Sequence, residues 1–273
     1  MGYPLGHSFS PKIHNLAFSK LNLDYFYSTL AIKPSEFDNL AQDFLKSSAY
    51  FGGNVTIPFK EKIIKHIDKL TPEAYKTGAI NTFYKKDNIL WGDNTDVYGF
   101  FKSLEGFENY FYNKKVLILG TGGASKAVCS ALEQLKVKEI VLVSRNFNTL
   151  DNFIKNRKNF IENIIFSGTD YNNLDTYKNL NEFSALINTT PIGMYENNSP
   201  LPKNIIDKLN KNCLVYDLIY NPAKTKLLDL AENRGLKTIN GFNMLFLQAT
   251  KSFEKWTNLN YPFDLNEIYT KIL

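Results

Sequence analysis

The sequence has few of the residues that build disulfide frameworks and metal sites. It contains two cysteines, Cys129 and Cys213, and three histidines, His7, His14 and His66, in 273 residues. Neither cysteine lies in a CxxC pair, so we expect neither a disulfide framework nor a structural zinc site. The histidines lack metal-ligand spacing, and we therefore predict no metal site.

Long apolar runs are absent as well. No stretch approaches the roughly 18 residues that favour a membrane-spanning helix, and the start of the chain lacks a signal-peptide pattern. We therefore expect a cytosolic chain with no membrane partner. The 32 basic and 27 acidic residues are interspersed, as in KEKIIKHIDK. This mixing predicts a solvated surface. The formal net charge of +5 would favour anionic ligands, but it does not predict nucleic-acid binding.

The length and the texture of the sequence predict two domains. A chain of 273 residues exceeds what one core usually serves. Residues 101–242 alternate short Val/Ile/Leu runs with helical stretches, which is typical of βαβ units around a parallel sheet. The runs that predict its strands are KVLILG, EIVLVS, ALINTT and CLVYDLIY. We predict an α/β fold in which residues 101–242 form a Rossmann-like domain. Residues 1–100 would form a second α/β domain, completed by C-terminal helices in 243–273.

Local signals predict several elements of the first domain. SPKIHNLAFSKLN predicts a helix with Ser10 as its N-cap, and TPEAYKTGA a short helix capped by Thr71. INTFYKKDNILWGD predicts a hairpin that turns at Lys86–Asn88. DYFYSTLAI and FGGNVTI each predict a strand. Pro58 ends the second strand, and we expect it to place Lys60 in the first turn of a helix, facing a cleft.

A glycine-rich turn joins a strand to a helix in VLILGTGGASKAV. Gly120 would make the tight turn, and Gly122 would let a pyrophosphate approach the backbone. The free N–H groups at the helix N-terminus would then bind that anion. Gly123 follows, and Ser125 stands where the usual fingerprint has its third glycine. We predict a dinucleotide site here, and the alternative is a tight turn without a ligand.

The end of the next strand distinguishes NADP from NAD. NAD sites place an acid there to bind the ribose hydroxyls, whereas NADP sites drop the acid and supply arginine. This sequence has Ser144, Arg145 and Asn146 at that point. A guanidinium binds a phosphate through charge-assisted hydrogen bonds, whereas a carboxylate would repel it. We therefore predict NADP; the alternative is that Arg145 is only a surface residue.

Three further segments carry more polar residues than a scaffold requires. They are GYPLGHSFSP, NVTIPFK and AINTFYKKDNILWGDNTD. Their polar residues include Ser8, Ser10, Asn54, Thr56, Lys60, Asn81, Asn94, Thr95 and Asp96. The two serines are two positions apart, so their hydroxyls share one side of an extended chain. Such a set suits a small ligand that has several hydroxyls and a carboxylate.

Taken together, these segments resemble the shikimate dehydrogenase family. GYPLGHSFSPKIHN, GGNVTIPFK, GAINT, GDNTD, GTGGAS, NTTPIGM, DLIYNPAKT and GFNMLFLQA follow the family's order along nearly the whole chain. The resemblance implies a cytoplasmic enzyme that reversibly reduces 3-dehydroshikimate to shikimate with NADPH, in chorismate and aromatic amino acid biosynthesis. A homodimer stays open as an alternative to a monomer.

The resemblance also implies roles for individual residues, with Lys60 and Asp96 as the catalytic pair. The residues expected around the substrate are Ser8, Ser10, Thr56, Lys60, Asn81, Asp96, Tyr220 and Gln248. The residues expected around NADP are Gly120, Gly122, Gly123, Ala124, Ser125, Ser144, Arg145, Asn146, Thr190, Met194, Gly241 and Met244. One departure from the family is Thr149, which replaces a second basic residue found in some members. We expect a single arginine to weaken the discrimination for NADP.

Structural alternatives remain open for several of these residues. Ser8 and Ser10 could serve only as helix caps, and Asn81 only as a turn residue of the hairpin. Asp96 could be the N-cap of the helix in VYGFFKSLE, and Tyr220 a satisfied interface tyrosine. Two functional alternatives also remain: a quinate/shikimate dehydrogenase with broader substrate or NAD use, and a non-catalytic sensor of the same fold.

Overall fold

The structure, a computed structural model, describes residues 1–6, 8–47, 49–177 and 179–272. The chain divides into two compact units. The first comprises Met1–Gly99 together with the residues from Leu245 onward, and the second comprises Phe100–Met244. These limits differ from the predicted ones by no more than two residues. Within the described residues, no helix is long and apolar enough to cross a membrane.

The first unit contains a small mixed sheet and several helices. Its strands are β1 (Gly52–Asn54), β2 (Lys69–Leu70), β3 (Thr82–Lys86) and β4 (Ile89–Asp93), in the order β1-β3-β4-β2. Its helices are α1 (Ser10–Lys20), α2 (Phe37–Lys46), α3 (Pro72–Thr77) and α10 (Leu265–Ile272). Helices α4 (Thr95–Ser103) and α9 (Phe242–Thr257) each begin in one unit and end in the other. A core of buried apolar residues lies beneath α2, where the Phe37 and Phe59 rings stack 3.9 Å apart.

One capping signal and one turn signal in the first unit were confirmed. The Thr71 hydroxyl accepts a hydrogen bond from the amide of Ala74 and caps α3, as predicted. The β3–β4 hairpin is also confirmed, with a turn at Asp87 and Asn88. Both turn residues have positive φ, 53° and 59°. This conformation matches the right-handed twist of paired strands, and Asn and Asp tolerate it better than most residues.

Three local predictions for the first unit were wrong. Ser10 is the first residue of α1 rather than its cap, because Phe9 already has helical torsions and accepts from the amide of Ile13. Lys60 lies in a turn before a 3₁₀ helix at Lys62–His66, not in the first turn of that helix. DYFYSTLAI forms only a single bridge, between Ala31 and Gly2. Backbone hydrogen bonds join this segment to Gly2 only at residues 30–32. Among the described residues, the rest of the segment pairs with no strand.

The second unit is a parallel six-stranded sheet with the strand order β10-β9-β8-β5-β6-β7. Its strands are β5 (Lys115–Leu119), β6 (Glu139–Ser144), β7 (Ile165–Asp170), β8 (Ala185–Asn188), β9 (Leu214–Asp217) and β10 (Lys237–Ile239). Its helices are α5 (Gly123–Gln134), α6 (Phe147–Lys158), α7 (Lys203–Ile206) and α8 (Lys226–Asn233). The chain leaves β5 towards β6 on one side and later returns to β8 on the other. The turn after β5 therefore lies at the point where the strand order reverses, which is where such sheets bind ligands.

Candidate active site

Lys60 and Asp96, the predicted catalytic pair, form an ion pair between Lys60 Nζ and Asp96 Oδ2. Lys60 is held by the turn after β1, where its carbonyl accepts from the amide of Ile80 at 2.7 Å. Asp96 lies in the first turn of α4, where the helix dipole favours a carboxylate. The side chains are 13% and 9% exposed, so solvent screens their attraction much less than it would at the surface.

Asn81 holds the other oxygen of the same carboxylate. Its Nδ2 donates to Asp96 Oδ1 at 2.9 Å. The amide of Thr95 donates to Asn81 Oδ1 at 2.7 Å, and because a backbone amide can only donate, this contact fixes the orientation of the carboxamide. Asn81 Nδ2 also lies 3.1 Å from Gln248 Oε1. Four predicted residues thus form one buried cluster, and Asn81 is more than a turn residue.

The geometry of α4 argues against Asp96 as a mere helix cap. The helix begins at Thr95, one residue before Asp96. The amide of Asp96 is met by the side-chain oxygen of Asn94 at 3.2 Å. Because the Asp96 carboxylate binds Lys60 and Asn81, its side chain does not serve as the cap.

The other residues predicted around the substrate are Ser8, Ser10, Thr56 and Tyr220. Ser8 Oγ accepts from the amide of Ser10 at 3.3 Å, so Ser8 supports the start of α1. Within the part of the chain that is described, no hydrogen bond joins Ser8, Ser10 or Thr56 to Lys60 or Asp96. Tyr220 is half-buried in the second unit, just after β9. The roles of these four residues in substrate binding stay predictions.

Sequence reasoning missed two residues that bond to the predicted polar set. Ser252 Oγ contacts Asn54 Nδ2 at 3.1 Å and Thr95 Oγ1 at 3.0 Å. Tyr27 Oη donates to Asn54 Oδ1 at 3.0 Å. Helical spacing could have indicated Ser252, because it lies four residues after Gln248 and so on the same face of α9. Tyr27 falls in the segment whose predicted strand is absent, and its position carried no signal.

The two glycines of the turn after β5 differ in their surroundings. Gly120 has φ +102°, and a Cβ there would lie 2.8 Å from Thr189 Oγ1, so this position excludes other residues. A Cβ at Gly122 would meet no atom within 4 Å. Gly122 is also the N-cap residue of α5, and no side chain caps that helix. The first amides of α5 thus adjoin open space, which is what an approaching pyrophosphate requires.

Ser125, in the third position of the fingerprint, holds the turn together. It is fully buried, and its hydroxyl lies 2.8 Å from the Gly120 carbonyl and 2.6 Å from Thr189 Oγ1. Thr189 in turn donates to the Leu119 carbonyl at 2.6 Å. This side chain therefore links the glycine turn to the end of β8. Its expected contact with NADP stays a prediction.

The residues predicted to select NADP follow β6. Ser144 is buried and lies 3.4 Å from Thr121 Oγ1 in the glycine turn, whereas Arg145 and Asn146 are exposed. Asn146 Oδ1 accepts from the amide of Thr149 at 3.2 Å and caps α6. The Arg145 guanidinium is the cation that this segment presents to solvent. No acid follows β6 directly, which fits a 2′-phosphate better than a free ribose.

Asp217, a buried carboxylate, is the last residue of β9 and pairs with Asn188 at the end of β8. The sequence analysis assigned no role to this residue. Asp217 accepts from Asn188 Nδ2 at 2.9 Å, Thr225 Oγ1 at 2.7 Å and the Ile219 amide at 3.1 Å. Burial raises the pKa of Asp217 to about 6, and these donors oppose the rise. Asn188 Oδ1 accepts from Thr190, which places that predicted NADP residue at the end of β8.

The remaining predicted NADP residues also lie in the second unit. Met194 is half-buried in the loop after β8, and Met244 is 7% exposed near the start of α9. A Cβ at Gly241 would overlap the carbonyl of Leu218, which explains that glycine by packing alone. Ala124 lies in the first turn of α5. Within the described residues, no group of three or more His, Cys, Asp or Glu is placed to hold a metal ion.

The fold and these residues define a class of protein. A parallel sheet with a glycine turn at its switch point marks a dinucleotide-binding unit. A buried Lys–Asp pair in the other unit supplies an ammonium that can serve a carbonyl reaction. Both features are typical of a nicotinamide-dependent oxidoreductase.

Comparisons with known proteins narrow this class to one family. The family model described as the shikimate dehydrogenase substrate binding domain matches residues 1–83. A shikimate dehydrogenase (NADP(+)) from Caldanaerobacter subterraneus is 39% identical over 100% of this chain and 94% of its own length. The chain belongs to the shikimate dehydrogenase family.

Solved structures agree with this assignment. A crystal structure of a shikimate dehydrogenase in complex with NADP+ matches with a TM-score of 0.85 and 35% identity, over 100% of this chain and 94% of the other. Shikimate 5-dehydrogenase from Listeria monocytogenes, crystallised with shikimate and NAD, matches with a TM-score of 0.84 and 32% identity, with the same two coverages. The predicted two-domain α/β fold is confirmed.

Proposed function

We propose that this chain catalyses the reversible NADPH-dependent reduction of 3-dehydroshikimate to shikimate. The observation that carries the proposal is the buried Lys60–Asp96 ion pair, which Asn81 anchors next to Gln248. Relatives with this family's name supply the substrate class. The substrate has a ring with hydroxyls and a carboxylate, and the cluster offers an ammonium and two carboxamides to such a ring.

Lys60 neutralises the negative charge that develops on the reacting oxygen. Bound NADPH supplies a hydride to the carbonyl carbon, and negative charge then develops on the oxygen. An ammonium has three N–H donors, and Asp96 occupies one, so others remain for that oxygen. Lys60 donates a proton to the oxygen and regains one from solvent, while Asp96 holds its ammonium in place. In the reverse direction Lys60 first releases a proton to solvent, and the resulting amine accepts the hydroxyl proton as hydride leaves the carbon.

The second unit supplies residues that suit NADP. The open space at Gly122 and the uncapped start of α5 suit the pyrophosphate. Arg145 is exposed after β6, where no acid directly follows the strand, and would bind the 2′-phosphate. Ser125 would act indirectly, because its hydroxyl holds the turn in shape.

The direct test is NADP+ reduction with shikimate at alkaline pH, followed by NADPH absorbance. We expect turnover by the wild-type chain and a loss of at least about 10²-fold in kcat for Lys60→Ala, because proton-transfer groups typically contribute about 10²–10⁴-fold. The KM for shikimate should change less. The exposed Lys65→Ala variant is the matched control and should keep wild-type kcat. Wild-type kcat for Lys60→Ala, in a folded protein, would remove the catalytic assignment.

Substrate and cofactor breadth need a separate comparison, because the Listeria relative was crystallised with NAD. The ratios of kcat/KM for shikimate against quinate, and for NADP+ against NAD+, decide between a strict and a broad enzyme. We expect shikimate and NADP+ to be preferred. Ligand binding without turnover would instead identify a non-catalytic sensor, a reading that the paired Lys60 and Asp96 disfavour.

A further inference from the structure

A chain of hydrogen bonds, partly buried at Tyr27 and Asn54 and fully buried from Thr95 onward, ends at Asp96. Its members, called the polar chain here, are Tyr27, Asn54, Ser252, Thr95 and Asn81. Tyr27 Oη lies 3.0 Å from Asn54 Oδ1, Asn54 Nδ2 3.1 Å from Ser252 Oγ, and Ser252 Oγ 3.0 Å from Thr95 Oγ1. Thr95 Oγ1 lies 2.9 Å from Asn81 Nδ2, which itself binds Asp96 at 2.9 Å. Ser252 is 0% and Thr95 2% exposed, so solvent does not compete for the bond between these two hydroxyls.

The donors and acceptors in the middle of the polar chain follow from hydrogen-bond capacity. Asn54 Nδ2 also lies 3.2 Å from the carbonyl of Asn81, which can only accept, so this carboxamide donates to Ser252. Among the described residues, Ser252 Oγ has no partners besides Asn54 and Thr95, so its proton goes to Thr95. The Thr95 proton then has Asn81 Oδ1 as acceptor at 3.2 Å. This assignment leaves no hydroxyl hydrogen unsatisfied, as expected for buried groups.

The hydrogen that Ser252 donates to Thr95 decides which acceptors Asn81 Nδ2 binds. Asn81 Nδ2 has two hydrogens but three acceptors within reach: Thr95 Oγ1 at 2.9 Å, Asp96 Oδ1 at 2.9 Å and Gln248 Oε1 at 3.1 Å. When Ser252 donates to Thr95, both hydrogens of Asn81 are free for Asp96 and Gln248. Without the serine hydroxyl, Thr95 depends on Asn81 and draws a hydrogen away from the carboxylate.

We propose that Ser252 is a positioning residue that, through the polar chain, holds Asp96 on Lys60. This inference rests on the proposed reaction for its kinetic consequence but not for its structural one. Ser252 acts on the lysine through intervening side chains, and it enters no covalent step.

Kinetics of three variants give the first test. Ser252→Ala and Thr95→Val should each lower kcat about 3- to 10-fold, the worth of one hydrogen bond of ordinary net strength, with little change in the KM for NADP+. Thr95→Ser keeps the hydroxyl and should stay near wild type. The double variant should lose less than the product of the single effects, since both act along one path. Thr250→Val is the matched control on α9. Among the described residues, the Thr250 hydroxyl bonds only to the Leu247 carbonyl, and its removal should leave kcat unchanged.

A second measurement does not depend on turnover. Solvent exchange of the Lys60 ammonium protons can be followed by ¹⁵N NMR, with the signal assigned from a Lys60→Arg spectrum. Ser252→Ala and Thr95→Val should each speed this exchange several-fold, and Thr250→Val should not. Wild-type exchange and wild-type kcat in folded Ser252→Ala would overturn the inference. A wild-type chain that lacks the reaction would instead refute the proposed function, and the exchange rates would still decide the role of Ser252.

Discussion

His14 is a buried histidine with an environment that controls its charge. Its ring is fully buried and lies 4.7 Å from the ring of Tyr27 and 4.6 Å from that of Trp256, with Phe18 beside it. Burial away from water disfavours the charged form and lowers the pKa of His14 to about 3, from an unfolded value near 6.5. The folded state therefore keeps this imidazole neutral where the unfolded chain would protonate it.

This shift predicts a pH dependence of stability. Below about pH 6.5 the unfolded state binds the extra proton, so the contribution of His14 is fully present above that pH and is lost as pH falls towards 3. The slope is about 1.4 kcal/mol per pH unit for one proton. His14→Phe should keep the aromatic packing and remove the slope, as measured by urea unfolding between about pH 4 and 7.

The comparison must be made as a difference between variant and wild type. Asp217 acts in the opposite direction: its raised folded pKa makes the folded state bind the extra proton, so its contribution is lost as pH rises through about 6. Because Asp217 is present in both proteins, its contribution cancels in the difference. Parallel curves for the wild-type chain and His14→Phe would show that the pKa of His14 is the same in the folded and unfolded states, which contradicts the prediction.

The glycine turn after β5 yields a prediction at the level of an element. Gly122→Val places its side chain in open space, at φ −93°, so the fold should tolerate it. The same side chain would occupy the space required by the pyrophosphate, and we expect NADPH affinity to fall at least about 10²-fold, with melting temperature nearly unchanged. Fluorescence titration with NADPH and thermal unfolding measure the two effects.

Gly120→Ala is the matched comparison in the same turn. Its φ of +102° and the contact with Thr189 Oγ1 make a side chain costly there. Such backbone strain is worth on the order of 1–3 kcal/mol, so this variant should lose stability as well as affinity. If Gly122→Val binds NADPH as the wild type does, the turn is not the pyrophosphate site.

Sequence patterns predicted the strands best where an apolar run lies in a fully buried strand. The four buried strands β5, β6, β8 and β9 were predicted because each contains an unbroken run of apolar residues, although polar residues stand at their ends. The edge strands β7 and β10 were missed, because β7 mixes exposed with buried positions and β10 has only three residues. DYFYSTLAI has strand composition, but a strand also requires a neighbouring backbone, and that is a tertiary property.

The candidate site could also be predicted only in part from the sequence. Lys60, Asp96, Asn81 and Gln248 lie in motifs that resemble a known family, and the structure brings them into one hydrogen-bonded cluster. Only part of the polar chain could be predicted from the sequence. Asn54 and Thr95 lie in those motifs, but Ser252 lies on α9, more than 150 positions away, and its contact with them depends on packing.

At the scale of the whole molecule, the two units differ in how the chain builds them. The second unit is continuous in sequence, Phe100–Met244, and every residue predicted to bind NADP lies within it. It also has its own sheet and its own buried core. The first unit needs residues from both ends of the chain, because Gln248, Ser252 and Trp256 on α9 bond to or pack against residues before position 100.

This difference predicts what fragments of the chain can do. A fragment of residues 100–244 should fold cooperatively and bind NADPH within about tenfold of the intact chain, but it should lack turnover because Lys60 and Asp96 are absent. Circular dichroism, thermal unfolding and NADPH fluorescence would measure this. The complementary truncation, residues 1–244, removes most of α9 and all of α10, and should leave the first unit unfolded while NADPH binding survives.

A fragment of residues 100–244 that folds but does not bind NADPH would mean that residues outside it contribute to the cofactor site. The Gly122→Val version of the same fragment separates specific from nonspecific binding, because it should fold equally well and bind NADPH at least about 10²-fold more weakly.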